Sequence, residues 1–266
     1  MFYNISSCYL KLRLFKNNPL TWFVILLSFF SSSSYANKEQ KEQITIYAYH
    51  LKPPYIINVV EERGLYFDFS RYLNSKAGLY QFQTRFMPRK RIEVYLNRGE
   101  LNGILIGVNP VWFKDKAQTK YLWTSTIFQD QDEVVSLAQA PVEYLGPKSL
   151  EGLNLGGVLG FYYFGISEAV EAGDIKRTDL ENESSVLQML IYKRIDSGIV
   201  SRSTLDYLVK ENDWQGQFHL SSISHDKYSR HILLPLKYSK LYKYIESIIV
   251  NINDDPMWQK MRLKYE

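Results

Sequence analysis

The sequence predicts an α/β protein with a largely parallel sheet that carries helices on its faces. Segments with strand periodicity alternate along the chain with segments of helix periodicity, in the order expected of βαβ units. Residues 102–108 are apolar on both faces, as expected of a strand buried inside such a sheet. Cys8 is the only cysteine, so disulfides cannot stabilise the fold and a packed core must do so.

The first half of the chain shows this alternation most clearly. A strand over residues 44–49 ends before Pro53 and Pro54, because proline cannot continue a strand. The elements predicted after it are a helix over residues 65–77 with Gly78 at its C-terminal end, a strand over residues 81–87, a helix over residues 88–96 that stops at Gly99, and the strand over residues 102–108.

A second unit follows Pro141. Its predicted elements are strands over residues 153–159 and 197–201, a helix over residues 184–194, and a further helix marked by Leu205, Leu208 and Val209. After residues 231–236, apolar positions over residues 241–252 predict a long amphipathic helix. Asp255 and Pro256 have the residue types of an N-cap and first helical position, so they predict a short last helix.

Residues 1–36 predict an export signal. Three basic residues precede an apolar run of 11 residues at positions 20–30, and Ser34 and Ala36 fit a signal-peptidase site. A membrane-spanning helix needs roughly 20 apolar residues, so the run favours cleavage over anchoring. We therefore expect cleavage after Ala36 and a periplasmic location.

The expected mature chain is nearly neutral. The signal carries three of the 32 basic residues and none of the 28 acidic ones, so its removal lowers the net charge from +4 to +1. This charge gives no reason to expect nucleic acid or an anionic membrane as a partner. The loss of the only cysteine excludes thiolate metal sites, and we expect a monomer.

Seven short sequence phrases follow one another along nearly the whole of the expected mature chain. They are Pro53-Pro54-Tyr55, residues 64–68, Pro88 and Arg91 followed by residues 96–99, residues 122–128, residues 149–152 before the Gly160 turn, residues 194–196, and the closing helix. In this order they resemble the type II periplasmic solute-binding proteins of family 3, which include the amino-acid-binding components of ABC transporters.

The resemblance implies two α/β lobes with mixed sheets, joined by crossing strands, and a ligand cleft between the lobes. The expected lobes are residues 37–136 with 229–266, and residues 137–228. It also implies that lobe closure captures a small solute where strand C-termini and helix N-termini converge. The partner would be an ABC permease or a membrane sensor, and neither a cofactor nor a metal is expected.

Two charged contacts of that family are missing here. Its members hold the α-carboxylate of an amino acid with an arginine, and Ala117 occupies that position, so Lys116 is the nearby cation without the guanidinium fork. They hold the α-ammonium with an aspartate, and Ser201 occupies that position; a serine cannot neutralise a buried cation. The resemblance therefore implies a solute that is not a standard α-amino acid held by the usual contacts.

The predicted cleft is instead aromatic and weakly basic. Aromatic faces suit planar or sugar-like solutes, and nearby cations would tolerate an anionic group. The predicted ligand-binding residues are Tyr49, Tyr55, Arg91, Trp112, Lys116, Tyr162, Tyr163, Ser201 and Arg202. Because the chain has 21 tyrosines and 14 phenylalanines, each aromatic residue is also compatible with a packing role, and Arg91 with a solvated surface.

The sequence favours binding over catalysis. None of the four histidines has metal-ligand spacing, and the chain has neither a Gly-x-Ser-x-Gly elbow nor a phosphate loop. Asp130, Asp132 and Glu133 form an acidic cluster that we expect to be solvated. Two alternatives to uptake remain: a periplasmic ligand-sensing module for a membrane receptor and, less favoured, a lyase or dehydratase on the same fold.

Overall fold

Strands and helices alternate through residues 41–76 and 78–266, the part of the chain that this computed structural model describes. The predicted export signal lies outside that part. The strands are β1 (Glu42–Ala48), β2 (Tyr80–Phe86), β3 (Ile104–Val108), β4 (Leu122–Trp123), β5 (Phe128–Leu137), β6 (Asn154–Val158), β7 (Lys176–Leu180), β8 (Ser197–Ser201), β9 (Phe218–Leu220) and β10 (Asp226–Leu234). The helices are α1 (Leu65–Ser75), α2 (Arg89–Asn97), α3 (Ile166–Ala172), α4 (Glu183–Ile191), α5 (Arg202–Glu211), α6 (Ser239–Ile249) and α7 (Pro256–Arg262). None of these described helices has the length and apolar character needed to cross a membrane.

The strands form one continuous mixed sheet, ordered β2-β1-β3-β10-β5-β8-β6-β7. β1 is parallel to β2 and β3, and β6 is parallel to β7 and β8. The long strands β5 and β10 are antiparallel to each other and to β8 and β3, respectively, so they join the two parallel parts. We call β1–β4 with α1, α2, α6 and α7 the first half, and β6–β9 with α3–α5 the second half.

Each half has its own hydrophobic core. In the first half, Ile46 and Ile106 of the sheet pack with Ile245 of α6 and with the residues of α1. In the second half, the cores lie on both sides of β5, because Val134 packs with the α3 side and Val135 with the α4 side. Neighbouring residues of a strand point to opposite faces, so one strand supplies both cores.

Most of the predicted elements are present. β8 has the predicted bounds, and Asp255 caps α7 as predicted: its Oδ1 accepts a hydrogen bond from the backbone nitrogen of Met257 at 2.8 Å. The sequence pattern did not indicate β4, β5, β7, β9, β10 or α3. β5 contains the three acidic residues that we expected in a solvated cluster, and β7 is mostly polar, so neither shows a continuous apolar pattern.

Trp258 attaches α7 to the first half. Its side chain is fully buried, and its ring lies 5.5 Å from Phe69, 5.4 Å from Tyr72 and 5.8 Å from Phe128 between centroids. Phe69 and Tyr72 belong to α1, and Phe128 begins β5. One aromatic side chain therefore joins the last helix, an early helix and a crossing strand.

We expect Trp258→Ala to lower the free energy of unfolding by about 3–5 kcal/mol, because it leaves a large cavity among these rings. Trp258→Phe keeps an aromatic ring in place and should cost clearly less. Urea denaturation followed by circular dichroism measures both. Equal losses for the two variants would show that ring packing is not what Trp258 contributes.

Candidate functional site

The loop after β1 brings charged and aromatic side chains to the junction of the two halves. β1 ends at Ala48 and α1 begins at Leu65, so this loop leaves the carboxyl end of a parallel strand, where ligands bind in open α/β sheets. His50, Lys52 and Tyr55 lie in the loop, and all three are buried. The side chains that hydrogen-bond to them lie on the crossing strands β5 and β10 or in the second half.

Lys52 forms an ion pair between the halves. Its Nζ donates to Oε1 of Glu183 at 2.6 Å and to Oγ of Ser201 at 2.8 Å. Glu183 begins α4, whose N-terminus favours a negative charge, and Ser201 ends β8. The three side chains are buried, which strengthens the attraction between the charges.

Arg230 of β10 is a second buried cation at the junction, with 1% of its surface exposed. Its Nη1 donates to the carbonyl oxygen of Gly107 at 3.0 Å and to Nε2 of His50 at 3.1 Å, and its Nη2 lies 3.3 Å from Oδ2 of Asp130. Gly107 has a φ of +77°, and a Cβ there would lie 1.7 Å from the hydroxyl of Tyr66. Only glycine therefore fits this position of β3.

Aromatic rings surround the Arg230 guanidinium. Its central carbon lies 4.5 Å from the ring centroid of Tyr55, 5.0 Å from that of Tyr228 and 5.3 Å from that of Trp112. Such contacts between a cation and ring faces are favourable, and more so when water is excluded. A cation of the chain itself thus lies in the middle of the aromatic residues of the junction.

Asp130 of β5 connects the first and second halves through hydrogen bonds. Its Oδ2 accepts from the hydroxyl of Tyr55 at 2.6 Å and from that of Ser203 at 2.8 Å. Tyr55 belongs to the loop after β1, whereas Ser203 lies in the first turn of α5. Nearby, the hydroxyl of Thr204 donates to the carbonyl oxygen of Pro53 at 2.6 Å.

Burial and the cation of Arg230 set the protonation of Asp130 and His50. Burial raises the pKa of Asp130, but the Arg230 guanidinium and the Tyr55 hydroxyl outweigh that effect and hold the pKa below its ordinary value. Burial, reinforced by the cation of Arg230, lowers the pKa of His50 well below its ordinary value. His50 is therefore neutral at pH 7, consistent with an Nε2 that accepts a hydrogen bond from Arg230.

Asp132 lies two residues after Asp130 on β5, but its pKa is shifted in the opposite direction. Its Oδ1 accepts a hydrogen bond from the hydroxyl of Tyr228 at 2.9 Å. Burial raises its pKa to about 6; the cation of Lys52 opposes this shift and the carboxylate of Glu183 adds to it. Asp132 thus changes its charge near neutral pH, while Asp130 stays ionised.

A crevice of about 700 Å³ opens beside this network. It lies where the loop after β1, the start of β5, the N-terminus of α5 and the C-terminal residues meet. Its lining residues are Pro54, Tyr55, Leu65, Thr126, Ile127, Phe128, Gln129, Arg202, Ser203, Asp206, Asn253, Arg262, Tyr265 and Glu266. A neighbouring cavity shares Gln129, Arg202, Ser203, Asp206 and Glu266 with it and extends to Asp130 and Tyr228. We call these two adjoining cavities together the junction crevice.

Five of the nine predicted ligand-binding residues lie at the junction. Tyr55 and Ser201 belong to the network described above, and Arg202 lines the junction crevice. The ring of Tyr49 stacks on His50 with centroids 4.0 Å apart, and Trp112 faces Arg230. These five side chains come from three separate segments of the sequence.

The structure places the other four predicted residues elsewhere. Arg91, on α2, and Lys116 are exposed. Tyr162 is 66% exposed and donates a hydrogen bond to Glu168. Tyr163 is buried in the core of the second half, where its hydroxyl accepts from the backbone nitrogen of Val158 at 3.1 Å, so the structure gives it a packing role.

The expectation that Asp130, Asp132 and Glu133 form a solvated cluster is wrong. β5 is an inner strand with β10 on one side and β8 on the other, and both Asp130 and Glu133 are buried. Sequence reasoning also missed Lys52, Glu183 and Arg230. No residue pattern distinguishes them, because Lys52 lies in a loop, Glu183 follows a mostly polar strand and Arg230 lies in the middle of β10. Within the described residues, no group of three or more His, Cys, Asp or Glu side chains could hold a metal ion.

Known structures share this fold at low sequence identity. The GluR0 ligand-binding core from Nostoc punctiforme in complex with L-glutamate aligns with a TM-score of 0.63 at 13% identity over 84% of this chain and 98% of that one. A mutant of ArgBP from T. maritima aligns with a TM-score of 0.63 at 13% identity over 84% and 94%. The substrate-binding protein of an amino acid ABC transporter aligns with a TM-score of 0.62 at 15% identity over 84% and 98%.

The fold is that of the two-lobe solute-binding proteins. The comparison confirms the fold predicted from the sequence. No protein-family model matches the sequence, and no curated protein matches it. At these identities the similarity concerns the fold, and the solute must be inferred from the residues of the junction.

We expect Asp132→Asn to stabilise the protein at neutral pH but not in acid. Between the ordinary pKa of 3.8 and the raised value of about 6, the folded state binds more protons than the unfolded state, so ionisation of Asp132 lowers stability as the pH rises. Asparagine stays neutral and still accepts from Tyr228. The stability difference between variant and wild type should therefore grow by at most about 3 kcal/mol between about pH 4 and pH 7. Urea denaturation across this range measures it, and a difference that does not change with pH would contradict the assignment.

We expect Arg230→Met to lower the free energy of unfolding by about 3–5 kcal/mol, because it leaves the Asp130 carboxylate buried without its cation. Adding Asp130→Asn should recover part of that loss, since the unpaired charge is then gone. Arg85→Met, at an exposed arginine of β2, is the control and should change stability by less than about 0.5 kcal/mol. If Arg230→Met changes the free energy of unfolding no more than Arg85→Met does, the ion pair between Arg230 and Asp130 does not stabilise the structure.

Proposed function

We propose that this chain is an exported solute-binding protein that closes its two halves over a small polar or aromatic solute and delivers it to an ABC-type uptake system. The observation that carries the proposal is the set of contacts between the halves at the carboxyl ends of β1 and β8, where Lys52 and Tyr55 meet Glu183, Ser201 and Ser203. The similarity to a substrate-binding protein of an amino acid ABC transporter supports it.

The lining of the junction crevice favours a neutral or weakly charged planar solute. Arg202 pairs with Asp206 at 2.8 Å, and Arg262 pairs with Glu266 at 2.7 Å, so these cations already have partners. The aromatic side chains of the lining are the buried Tyr55 and the partly exposed Phe128 and Tyr265, so Phe128 and Tyr265 are the ones available to a solute. Ring faces with hydrogen-bonding groups around them suit stacking on planar or sugar-like compounds.

A standard α-amino acid is not the solute that we propose. The neighbour from Nostoc punctiforme was solved with L-glutamate, but in this chain the family resemblance places Ala117 at the position of the carboxylate-binding arginine. Ser201 replaces the ammonium-binding aspartate, and its hydroxyl already contacts Lys52. Both ends of an amino acid would therefore lack their usual partners.

Sensing is the second candidate, and the similarity to the GluR0 ligand-binding core favours it. Capture of the solute is the same in both functions; the partner that binds the closed form differs. The export signal predicted for residues 1–36 supports a periplasmic location for either function. Genes for a permease and an ATPase next to this one favour uptake, whereas a neighbouring sensor kinase favours sensing.

The solute class can be tested with the mature chain, residues 37–266. Mass spectrometry identifies what copurifies with it, and isothermal titration compares the twenty amino acids with organic acids, sugars and planar aromatic compounds. We expect binding by sugar-like or planar compounds. Tight binding of an ordinary amino acid would refute the proposed solute class, and turnover of a bound compound would support the lyase alternative.

We expect Gln129→Trp to weaken solute binding at least about tenfold, because the larger side chain fills the junction crevice that Gln129 lines. Gln83→Trp is the matched control: it is an exposed strand glutamine that lines neither part of the crevice. Equal affinities of the two variants, measured by titration with the identified solute, would place the solute elsewhere.

A further inference from the structure

The second half contains an ammonium-binding site that the chain fills with its own side chain. We propose that Glu183 and Ser201 form this site, that the ammonium group of Lys52 is its tethered occupant, and that Lys52 thereby excludes amine-bearing solutes from the cleft. Lys52 is then a residue that determines solute specificity. The ligand class of the emptied site is a primary alkylammonium ion.

The site is built from two residues of the second half that hydrogen-bond to each other. The backbone nitrogen and the hydroxyl of Ser201 donate to Oε2 of Glu183 at 3.2 and 2.8 Å. These bonds fix the carboxylate and leave Oε1 for the incoming cation. Asn182 caps α4 by accepting from the backbone nitrogen of Ser185 at 2.9 Å, which holds the helix end that carries Glu183.

The occupant comes from the other half of the molecule. Lys52 belongs to the loop after β1, 131 residues away from Glu183, and its Nζ lies 2.6 Å from Oε1. Glu183 is 4% exposed and Ser201 is fully buried, so the carboxylate has lost most of its contact with water. A buried carboxylate without a cation is strongly unfavourable. The site therefore requires a cation whenever the halves are closed.

Truncation of Lys52 to alanine defines the ligand that the emptied site would accept. The substitution removes three methylene groups and the ammonium group, which together have the shape of n-propylammonium. The alkyl part would occupy the space of the lysine stem, and the ammonium would donate to Glu183 and Ser201. n-Propanol has almost the same shape without the charge, so it separates recognition of the cation from filling of a cavity.

The effect of Lys52 on solute specificity rests on the proposed function. If the cleft captures a solute, wild-type protein cannot use this site for a ligand ammonium, because Lys52 occupies it. Amines and α-amino acids then lose their main contact with the second half, and the solute must be recognised through other groups. Occupation of the site by Lys52 is thus a physical reason, independent of Ala117, why the proposed solute is not a standard α-amino acid.

The test is binding of n-propylammonium to Lys52→Ala, measured by isothermal titration and by the shift in thermal midpoint. We expect binding to the variant and none to wild type, and binding at least about tenfold weaker for n-propanol or for Lys52→Ala with Glu183→Gln. If Lys52→Ala does not fold alone, refolding in n-propylammonium should recover folded protein where n-propanol does not. Failure of n-propylammonium both to bind and to restore folding, or an equal effect of n-propanol, would overturn the proposal.

This result is independent of the solute experiment. Rescue by n-propylammonium can succeed in a protein that captures no solute, in which case only the proposed function fails. Conversely, wild-type protein can bind a sugar-like solute while Lys52→Ala shows no rescue, in which case only the tethered occupant is wrong.

Discussion

The junction of the two halves depends on the buried pairing of Arg230 with Asp130. Both residues lie on the crossing strands β10 and β5, so they belong to neither half alone. Asp130 also accepts hydrogen bonds from Tyr55 of the first half and Ser203 of the second half. Because a buried charge must be neutralised, each of these partners is held in position by the others.

The second ion pair, between Lys52 and Glu183, has a different character. Arg230 and Asp130 are neighbours on adjacent strands, whereas Lys52 and Glu183 approach from opposite halves. Separation of the halves would leave the first pair intact and break the second. Opening of the halves, which the proposed function requires, would therefore expose Lys52 and Glu183 to water at the same time, where their separation costs little.

Sequence identity with the solved neighbours is low, yet the fold is shared, and the reason is visible in the residues. Apolar positions such as Ile46 and Ile106 need only hydrophobic volume, which many sequences supply. Residues that contact a solute need particular charges and hydrogen bonds, and the family resemblance implies that two such contacts differ here: alanine and serine stand at the two positions expected to bind an amino acid. Shared architecture therefore does not carry the solute with it.

Periodicity and capping residues in the sequence determined the α/β class, the bounds of β8, the Asp255 cap and the β1-α1-β2-α2-β3 order that begins the first half. These features are local, since they depend on which residues lie one strand repeat or one helix turn apart. The sequence also indicated Tyr55 and Ser201 as residues of the junction. Only the tertiary structure decided that Lys52 meets Glu183 and that Arg230 meets Asp130, because those partners are separated by 131 and 100 residues. The same reason explains β5: the burial of Asp130 and Glu133 depends on cations that pair with them and on hydroxyls that donate hydrogen bonds, and only the fold brings those groups together.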